Sequence, residues 1–207
     1  VWAVKPQLFA QAAAPCAAHV GSALHLSVMA GIRSSSIARA CGLAAGAARI
    51  VRSMPNTPAL IGKGIAGLFA TPAVSADERA LVEAVLAPTG QTLWVAAEAD
   101  LDAVTALSGS GPAYVFYFVE AMMAAAQAMG LSAEQGKRLA LATFDGATAL
   151  AAASSEPPEV LRERVTSKGG TTYAALQSMR GDAVAEAITR AVRAAQQRAA
   201  ELGDEFG

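Results

Sequence analysis

The stretch TLWVAAEADLDAVTALSGSGPAY, residues 92–114, marks the point at which strand patterns end and helical patterns begin. Its first five residues, TLWVA, combine aromatic and β-branched side chains, which predicts a strand. The segment that follows, EADLDAVTAL, has the spacing of a helix. The residues SGSG then interrupt the pattern, and Pro112 lies where proline is favoured, in the first turn of the next helix. We therefore expect an α/β part before this stretch and an all-α part after it.

Strand and helix patterns alternate before residue 92. The apolar runs VWAV, LHLSVMAG, ARIVRSM and GIAGLFATPA predict strands that end at Pro, Gly or small residues. Helical patterns lie between them, around residues 7–20, in RSSSIARACG and in SADERALVEAVLAPTG, where a serine and early acids mark a helix start. This alternation is typical of a parallel, doubly wound sheet, the architecture of Rossmann domains.

From about residue 98 onward the strand patterns stop, and residues 98–207 are predicted to form an all-helical domain. Residues 113–126 are apolar almost all the way round. A domain of about 110 residues has too little interior to bury such a helix, so we expect a second copy of the chain to cover it, with two-fold symmetry. Helices are predicted over 113–129, over 133–153, after Pro157, from Tyr173 to Met179 and from Ala183 to Leu202.

Composition excludes two classes of partner. The chain has 16 basic and 17 acidic residues and a net charge of -1, without a long basic run, so a nucleic-acid groove is not expected. Residues 112–129 approach the length of a membrane span, but Glu120 and Gln127 lie inside this segment and a proline opens it. A helix buried between protein surfaces is the better interpretation.

The cysteines and histidines predict no metal site. Cys16 and Cys41 have neither metal-ligand spacing nor a CxxC pattern, which favours two small thiols in a reducing cytosol. His19 and His25 lack ligand partners at useful spacing, so we interpret both as structural.

A dinucleotide-binding fingerprint is matched by GKGIAG, residues 62–67, but its surroundings do not fit. Two prolines precede it, LFATPAV follows where a helix should open, and no acid lies about 20 positions later. We interpret it as a glycine-rich loop leading into a strand. Because the chain begins inside a strand pattern and without Met, we expect the true glycine-rich turn to lie upstream, and residues 1–97 to be the C-terminal part of a Rossmann domain.

Four segments occur in this order: AVKPQ, VRSMPNTP, DAVTALSGSGPAYVFYFVEAM and LRERVTSKGGTTYAAL. Together they closely resemble the Δ1-pyrroline-5-carboxylate reductase family, and LSGSGPAY and the pattern VTS-x-GGTT are specific to it. The resemblance covers essentially the whole chain. It implies reduction of the cyclic imine 1-pyrroline-5-carboxylate to L-proline, the last step of proline biosynthesis, with NADPH or NADH in the cytoplasm. It also implies a homodimer through the helical domain, and in many members a decamer.

The polar loop TSKGGTT, residues 166–172, lies before the helix predicted from Tyr173. It holds no His, Cys, Asp or Glu, so nothing in it resembles a general acid or base. From the residues alone, GGTT is compatible both with a helix cap and with an anion site at a helix start. The resemblance favours the second interpretation and implies that the Thr172 hydroxyl bonds the ring nitrogen of the substrate. The implied ligands of the substrate carboxylate are Ser167, Gly169, Gly170 and Thr171.

Four further assignments keep an alternative. Glu156 resembles a family acid near the substrate, after a one-residue gap, and a solvated glutamate at a helix start is equally compatible. Lys168 stands where the family often has proline, and it either attracts the anionic substrate or faces solvent. Asn56 is compatible with a place near the nicotinamide or with a turn between prolines. The implied cofactor contacts are Ala3, Val4, Lys5, Pro6, Met29, Ala30 and Asn56, although Lys5 is also compatible with an ordinary lysine at a strand end.

Two other functions stay open at this point. One is a relative that reduces another small imine or keto acid, against which the loop VTSKGGTT argues. The other is a non-catalytic helical dimerisation module, or a reductase that is inactive without its glycine-rich turn. The sequence does not choose between NADPH and NADH or between a dimer and a decamer.

Overall fold

The structure, a computed structural model, describes residues 1–44 and 46–206, without the side chain of residue 206. By backbone proximity the chain forms two compact units, which are described separately. The first contains Val1–Pro112 and the chain from Val192 onward, and the second contains Ala113–Ala191. The domain boundary between residues 97 and 98 stays a prediction.

The first unit contains a four-stranded sheet in the order β1-β2-β3-β4. Its strands are β1 His25–Ser27, β2 Ile50–Met54, β3 Gly64–Ala70 and β4 Gly90–Trp94. The pairs β1–β2 and β3–β4 are parallel, whereas β2–β3 is antiparallel. The α/β class is confirmed, but the sheet is mixed rather than wholly parallel. The connection between β2 and β3 is too short for a parallel crossover, which needs about a dozen residues or more.

The strand predicted for VWAV is reduced to one bridge, in which Trp2 pairs in parallel with Ser27. The backbone N–H of Trp2 donates to Leu26 O at 2.7 Å, and the N–H of Val28 donates to Trp2 O at 3.0 Å. The indole Nε1–H also donates to Nδ1 of His25 at 2.9 Å, and His25 is only 3% exposed. The structural role predicted for His25 is confirmed, because the imidazole joins this first segment to β1.

Helices of the first unit cover the sheet and are mostly short. The predicted helix around residues 7–20 is instead α1 flanked by 3₁₀ turns, since Pro15 has no N–H to continue an α-helix. At the start of the helix Ala76–Leu86, α3, Ser75 and Glu78 form a capping box, as the Ser and early acids predicted. The SGSG segment is not a plain break, because a π-helical turn, Thr105–Gly109, links α4 to the next helix. The α-helices are α1 Phe9–Ala13, α2 Ser34–Ala40, α3 Ala76–Leu86 and α4 Asp100–Val104.

The core of the first unit has two parts, one for each face of the sheet. Ile50 packs with Trp2, Phe9 and Ile37, whereas its neighbour Val51 belongs to a separate cluster. Successive side chains of a strand point to opposite faces, so β2 is covered on both. The second cluster contains Leu26, Val51, Leu68, Val82 and Leu86.

The second half of the chain is helical, as predicted. The apolar helix α5 leaves several large side chains in solvent, including Phe116 at 59% and Tyr117 at 72% exposure. Among the described residues, no helix combines the length and the apolar character that a membrane span requires. The helices are α5 Gly111–Ala128, α6 Ala133–Ala153, α7 Pro158–Arg164, α8 Thr171–Gly181 and α9 Val184–Phe206.

Candidate functional site

The glycines of residues 62–67 serve packing rather than phosphate binding. Gly62 has a φ of +70° at the end of a 3₁₀ turn, and Gly64 opens strand β3 rather than a helix. A Cβ on Gly64 would lie 2.8 Å from Cα of Ala59, and one on Gly67 would lie 2.6 Å from Cγ1 of Val104. Both distances are shorter than ordinary contacts, so a side chain at position 64 would collide with backbone and one at position 67 would require Val104 to move. The interpretation as a loop leading into a strand is confirmed.

The residues predicted to contact the cofactor follow parallel segments of the sheet. Residues 3–6 follow the Trp2 bridge, residues 29–30 follow β1, and Asn56 follows β2. Since the carboxyl ends of parallel strands meet at one edge, the topology brings all seven residues to that edge. In doubly wound sheets this edge is where nucleotides bind.

Individual residues at this edge differ in what they offer a ligand. The side chains of Val4, Lys5 and Ala30 are exposed. The side chain of Met29 is 4% exposed and belongs to the apolar core, and its N–H donates to Ser27 Oγ at 3.3 Å, so only its backbone carbonyl is available. Asn56 has its side-chain oxygen engaged, because Oδ1 accepts from the N–H of Ile65 at 3.0 Å. Asn56 therefore closes the turn before β3, the role weighed as its alternative.

A buried ionic cluster lies near this edge, and the sequence interpretation did not include it. Glu98, just before α4, accepts from Ser34 N–H at 2.6 Å, from Ser34 Oγ at 2.7 Å and from Arg52 Nη1 at 2.9 Å. Burial alone would raise the pKa of Glu98, but the hydrogen bonds from Ser34 and then the Arg52 guanidinium lower it below its ordinary value. The sequence did contain a signal for this cluster, because Arg52 lies inside an otherwise apolar strand pattern. Charged residues are almost never fully buried without a partner, so Arg52 predicts a nearby carboxylate.

A cavity of about 260 Å³ opens beside the cluster. Arg52 is 8% exposed, and its Nε has no hydrogen-bond partner in the described part of the chain. Burial raises the pKa of Asp102, against the opposing influence of Arg52 and Arg33. The cavity is thus polar and holds carboxylate and guanidinium groups side by side. Its lining includes Gly31, Arg33, Arg52, Glu98, Asp102 and Gly203.

The predicted substrate loop belongs to the second unit and connects α7 to α8. The Thr166 hydroxyl donates to Arg162 O at 2.6 Å, which closes the end of α7. A tight turn follows, in which Gly170 N–H donates to Ser167 O at 3.0 Å and Gly169 has a φ of +76°. Gly169 is exposed, and this left-handed conformation favours glycine.

Helix α8 begins at Thr171 with Gly170 as its N-cap, and no side chain of the described residues caps it. The first intrahelical bond of α8 runs from Ala174 N–H to Gly170 O at 3.1 Å. The N–H groups of Thr171 and Thr172 therefore have no acceptor within the helix. A helix start with free N–H groups and a positive dipole end suits an anion.

Glu156 lies just before α7, and both of its carboxylate oxygens contact Arg164, the last residue of that helix. The two contacts are 2.5 and 2.6 Å long, a bidentate arrangement. The side chain of Glu156 is 32% exposed, so the pair is partly solvated. The geometry gives this glutamate a partner that neither sequence interpretation had named.

Metal ligands are not grouped in the described part of the chain, where no cluster of three or more His, Cys, Asp or Glu could hold an ion. Cys16 and Cys41 are both free thiols. Burial, with a smaller contribution from Cys16, raises the pKa of Cys41 and thus lowers its reactivity as a thiolate.

Comparisons with known proteins agree on one family. A family model described as pyrroline-5-carboxylate reductase dimerisation matches residues 98–202. The pyrroline-5-carboxylate reductase of Pseudomonas aeruginosa is 42% identical over all of this chain and 75% of its own length. The structure of a pyrroline-5-carboxylate reductase from Coxiella burnetii superposes with a TM-score of 0.90 at 36% identity, over 97% of this chain and 74% of that one. A Plasmodium falciparum pyrroline carboxylate reductase with NADP bound gives 0.88 at 30% identity, over 97% and 78%.

Proposed function

This chain belongs to the pyrroline-5-carboxylate reductase family, and on that premise we propose that it reduces 1-pyrroline-5-carboxylate to L-proline with NADPH or NADH. The observation that carries the proposal is the uncapped start of α8 behind the Ser167–Gly170 turn. In this proposal residues 1–97 form the cofactor domain and residues 98–207 the helical substrate and dimerisation domain.

The substrate carboxylate binds at the N-terminus of α8. The N–H groups of Thr171 and Thr172 and the hydroxyl of Ser167 surround the position that a helix start offers to an anion, while the Gly170 N–H closes the turn by donating to Ser167 O. The positive φ of Gly169 turns the chain so that the loop ends at the helix axis. Glu156 acts through Arg164, the last residue of α7. The ion pair between them fixes the end of α7, from which the loop continues.

The reaction needs position more than a strong acid. When bound, the reduced nicotinamide cofactor supplies a hydride to the imine carbon, and a proton on the ring nitrogen completes the amine. The Thr172 hydroxyl has no hydrogen-bond partner among the described residues and lies in the first turn of α8. It holds the ring nitrogen by a hydrogen bond, which fixes the orientation of the C=N bond. A protonated imine is already electrophilic, so the absence of His, Asp or Glu from this loop is no obstacle.

The cofactor binds along the carboxyl edge of the sheet. One side of this edge is formed by the exposed residues Ala3, Val4 and Lys5 and by the partly buried Pro6. Ala30, after the neighbouring strand β1, is also exposed at this edge. Met29 contributes only its backbone, because its side chain is in the core. Asn56 shapes the neighbouring turn through its bond to Ile65 and leaves its amide nitrogen for a ligand. The NADP in the Plasmodium relative supports a nicotinamide cofactor here.

The chain forms a homodimer through its helical half. The exposed apolar side chains of α5 support the dimer, since they need a covering surface. The match to a dimerisation family model supports the same arrangement. We place the protein in the cytoplasm, where the free thiols Cys16 and Cys41 would stay reduced.

Oxidation of NADPH by the 207-residue chain with pyrroline-5-carboxylate, followed by absorbance, tests this proposal. Thr172→Ala should lower kcat/KM about 100-fold, the scale of a positioned hydrogen-bonding group. Thr189→Ala is the matched control, because this helical threonine only donates to Ala185 O at 2.9 Å. A wild-type chain that dimerises but leaves NADPH unchanged would favour the non-catalytic dimerisation module or a reductase that is inactive without its glycine-rich turn. Equal activity of both variants would remove Thr172 from the mechanism.

A further inference from the structure

The turn between β1 and α2, residues 28–33, carries Met29 and Ala30 to the carboxyl edge of the sheet. At its far end, both the backbone N–H and the hydroxyl of Ser34 donate to the carboxylate of Glu98, at 2.6 and 2.7 Å. Glu98 comes from a segment 64 residues away, so the start of α2 depends on a long-range contact. The first N–H groups of a helix have no acceptor within the helix, so without Glu98 the Ser34 N–H would lose its acceptor.

Arg52 connects this contact to the sheet. It is 8% exposed, it stands opposite Ser27 in the register of β1 and β2, and it donates to Glu98 Oε1 at 2.9 Å. Ser27 is the last residue of β1, so the turn begins beside Arg52 and ends at Ser34. The carboxylate of Glu98 therefore contacts Ser34, at the end of the turn, and Arg52, the strand partner of the residue before the turn.

The middle of the turn is held by a second contact. Gly31 has a φ of +75°, and a Cβ added there would lie 3.2 Å from the carbonyl oxygen of Leu202. The next charged residue, Arg33, forms an ion pair with Asp204. The turn thus lies between the Glu98 carboxylate and the C-terminal end of α9.

We propose that Glu98 is a positioning residue for the cofactor site, which holds the turn of residues 28–33 in the shape that presents Ala30 to the nicotinamide cofactor. This proposal rests on the proposed function, because the turn matters for turnover only if the cofactor binds at this edge. Glu98 touches no reacting atom. Its effect passes through Ser34, whose two donors orient the start of α2 and thereby the turn.

Glu78 offers a closely matched control. Its carboxylate accepts from the Ser75 N–H at 2.9 Å and from Arg49 Nη1 at 2.5 Å, so it also caps a helix and pairs with an arginine. Arg49, however, precedes β2, at the amino end of the strand rather than its carboxyl edge. Glu78→Gln removes a similar interaction far from the proposed site.

The experiment compares wild type, Glu98→Gln, Ser34→Ala and Glu78→Gln by steady-state kinetics with NADPH and by amide hydrogen exchange without ligand. Glu98→Gln keeps the side-chain shape but loses one acceptor and the charge. It should raise KM for NADPH about tenfold with kcat changed less than about twofold, because the lost interaction orders the binding site. Exchange of residues 28–37 should rise about tenfold in the same variant. Ser34→Ala, which keeps the backbone bond, should show smaller changes of both kinds.

Glu78→Gln should leave KM for NADPH and exchange of residues 28–37 at wild-type values, while it speeds exchange around the start of α3. If Glu98→Gln and Glu78→Gln give the same KM and the same exchange in the turn, the positioning role is overturned. A wild-type chain without NADPH turnover overturns the proposed function instead. In that case the exchange data alone decide whether Glu98 orders the turn.

Discussion

Arg52 Nη1 lies 2.9 Å from Glu98 Oε1, with 9% of the arginine side chain and 26% of the glutamate side chain exposed. The pair joins the middle of β2 to the segment before α4, and Ser34 adds two more donors to the same carboxylate. A buried pair of this kind adds little net stability over an apolar pair, but the loss of one partner leaves an uncompensated charge. Substitutions here should therefore be strongly coupled.

Arg52→Met should lower the free energy of unfolding by about 3 kcal/mol, because it leaves the Glu98 carboxylate partly buried without its cation. Glu98→Gln should lower it by a similar amount, since the Arg52 guanidinium then loses its counter-charge. The double variant should be clearly less destabilised than the sum of the two. Urea unfolding of the four proteins measures this coupling, and additive effects would contradict it.

Asp102→Asn should stabilise the protein at neutral pH. Burial raises the pKa of Asp102, Arg52 and Arg33 oppose this rise, and the nearby Asp204 and Glu98 carboxylates add to it. A raised pKa means that the folded chain binds the proton more tightly than the unfolded chain. The contribution of this proton to stability is full below about pH 3.9 and lost as pH rises through the raised pKa. Asparagine mimics the protonated acid, so Tm at pH 7 should rise by about 2 °C, and the gain should shrink in acid. A lower Tm at pH 7 would contradict this assignment.

His25 should make stability depend on pH in the range where histidines titrate. Burial lowers the pKa of His25, and the hydrogen bond to Val20 O only partly opposes this effect. The neutral ring is needed to accept from Trp2 Nε1. Stability from this group is therefore full above about pH 6.5 and lost as pH falls through the lowered pKa.

His25→Gln keeps an acceptor for the indole and a donor for Val20, and it should remove this part of the pH dependence of Tm. His19→Gln, which replaces the other histidine at an exposed position, is the control. Thermal unfolding from about pH 7.5 to about pH 5 checks both. An unchanged profile in His25→Gln would contradict the prediction.

Gly67→Ala should destabilise the first unit by about 2 kcal/mol, because the new methyl group would lie 2.6 Å from Cγ1 of Val104. Val104→Ala makes room for that methyl group at the price of a small cavity. The double variant Gly67→Ala, Val104→Ala should consequently be more stable than the sum of the single effects. Chemical unfolding of the set decides the point, and no rescue would mean that Gly67 is required for another reason.

Local patterns in the sequence carried much of the fold and part of the site. Three predictions depended only on residues close together in the chain. They were the capping box at Ser75, the helix of residues 133–153 and the rejection of the glycine pattern at residues 62–67. The carboxyl edge could also be predicted, because it follows from the order of parallel segments. The direction of β3 was predicted wrongly, since the pattern shows a strand but not its orientation. The positions of the seven cofactor and six substrate residues in a working enzyme stay predictions.

The sequence by itself determined the α/β and all-α halves, the family resemblance and a loop able to bind an anion at a helix start. Periodicity, capping and turn chemistry are local and can be recognised without contacts. Only the tertiary structure decided that Met29 turns its side chain into the core and that Glu98 reaches Ser34 and Arg52. The two Glu98 contacts join residues 46 and 64 positions apart. Burial and pairing at such distances depend on how the whole unit packs, and no local pattern encodes them.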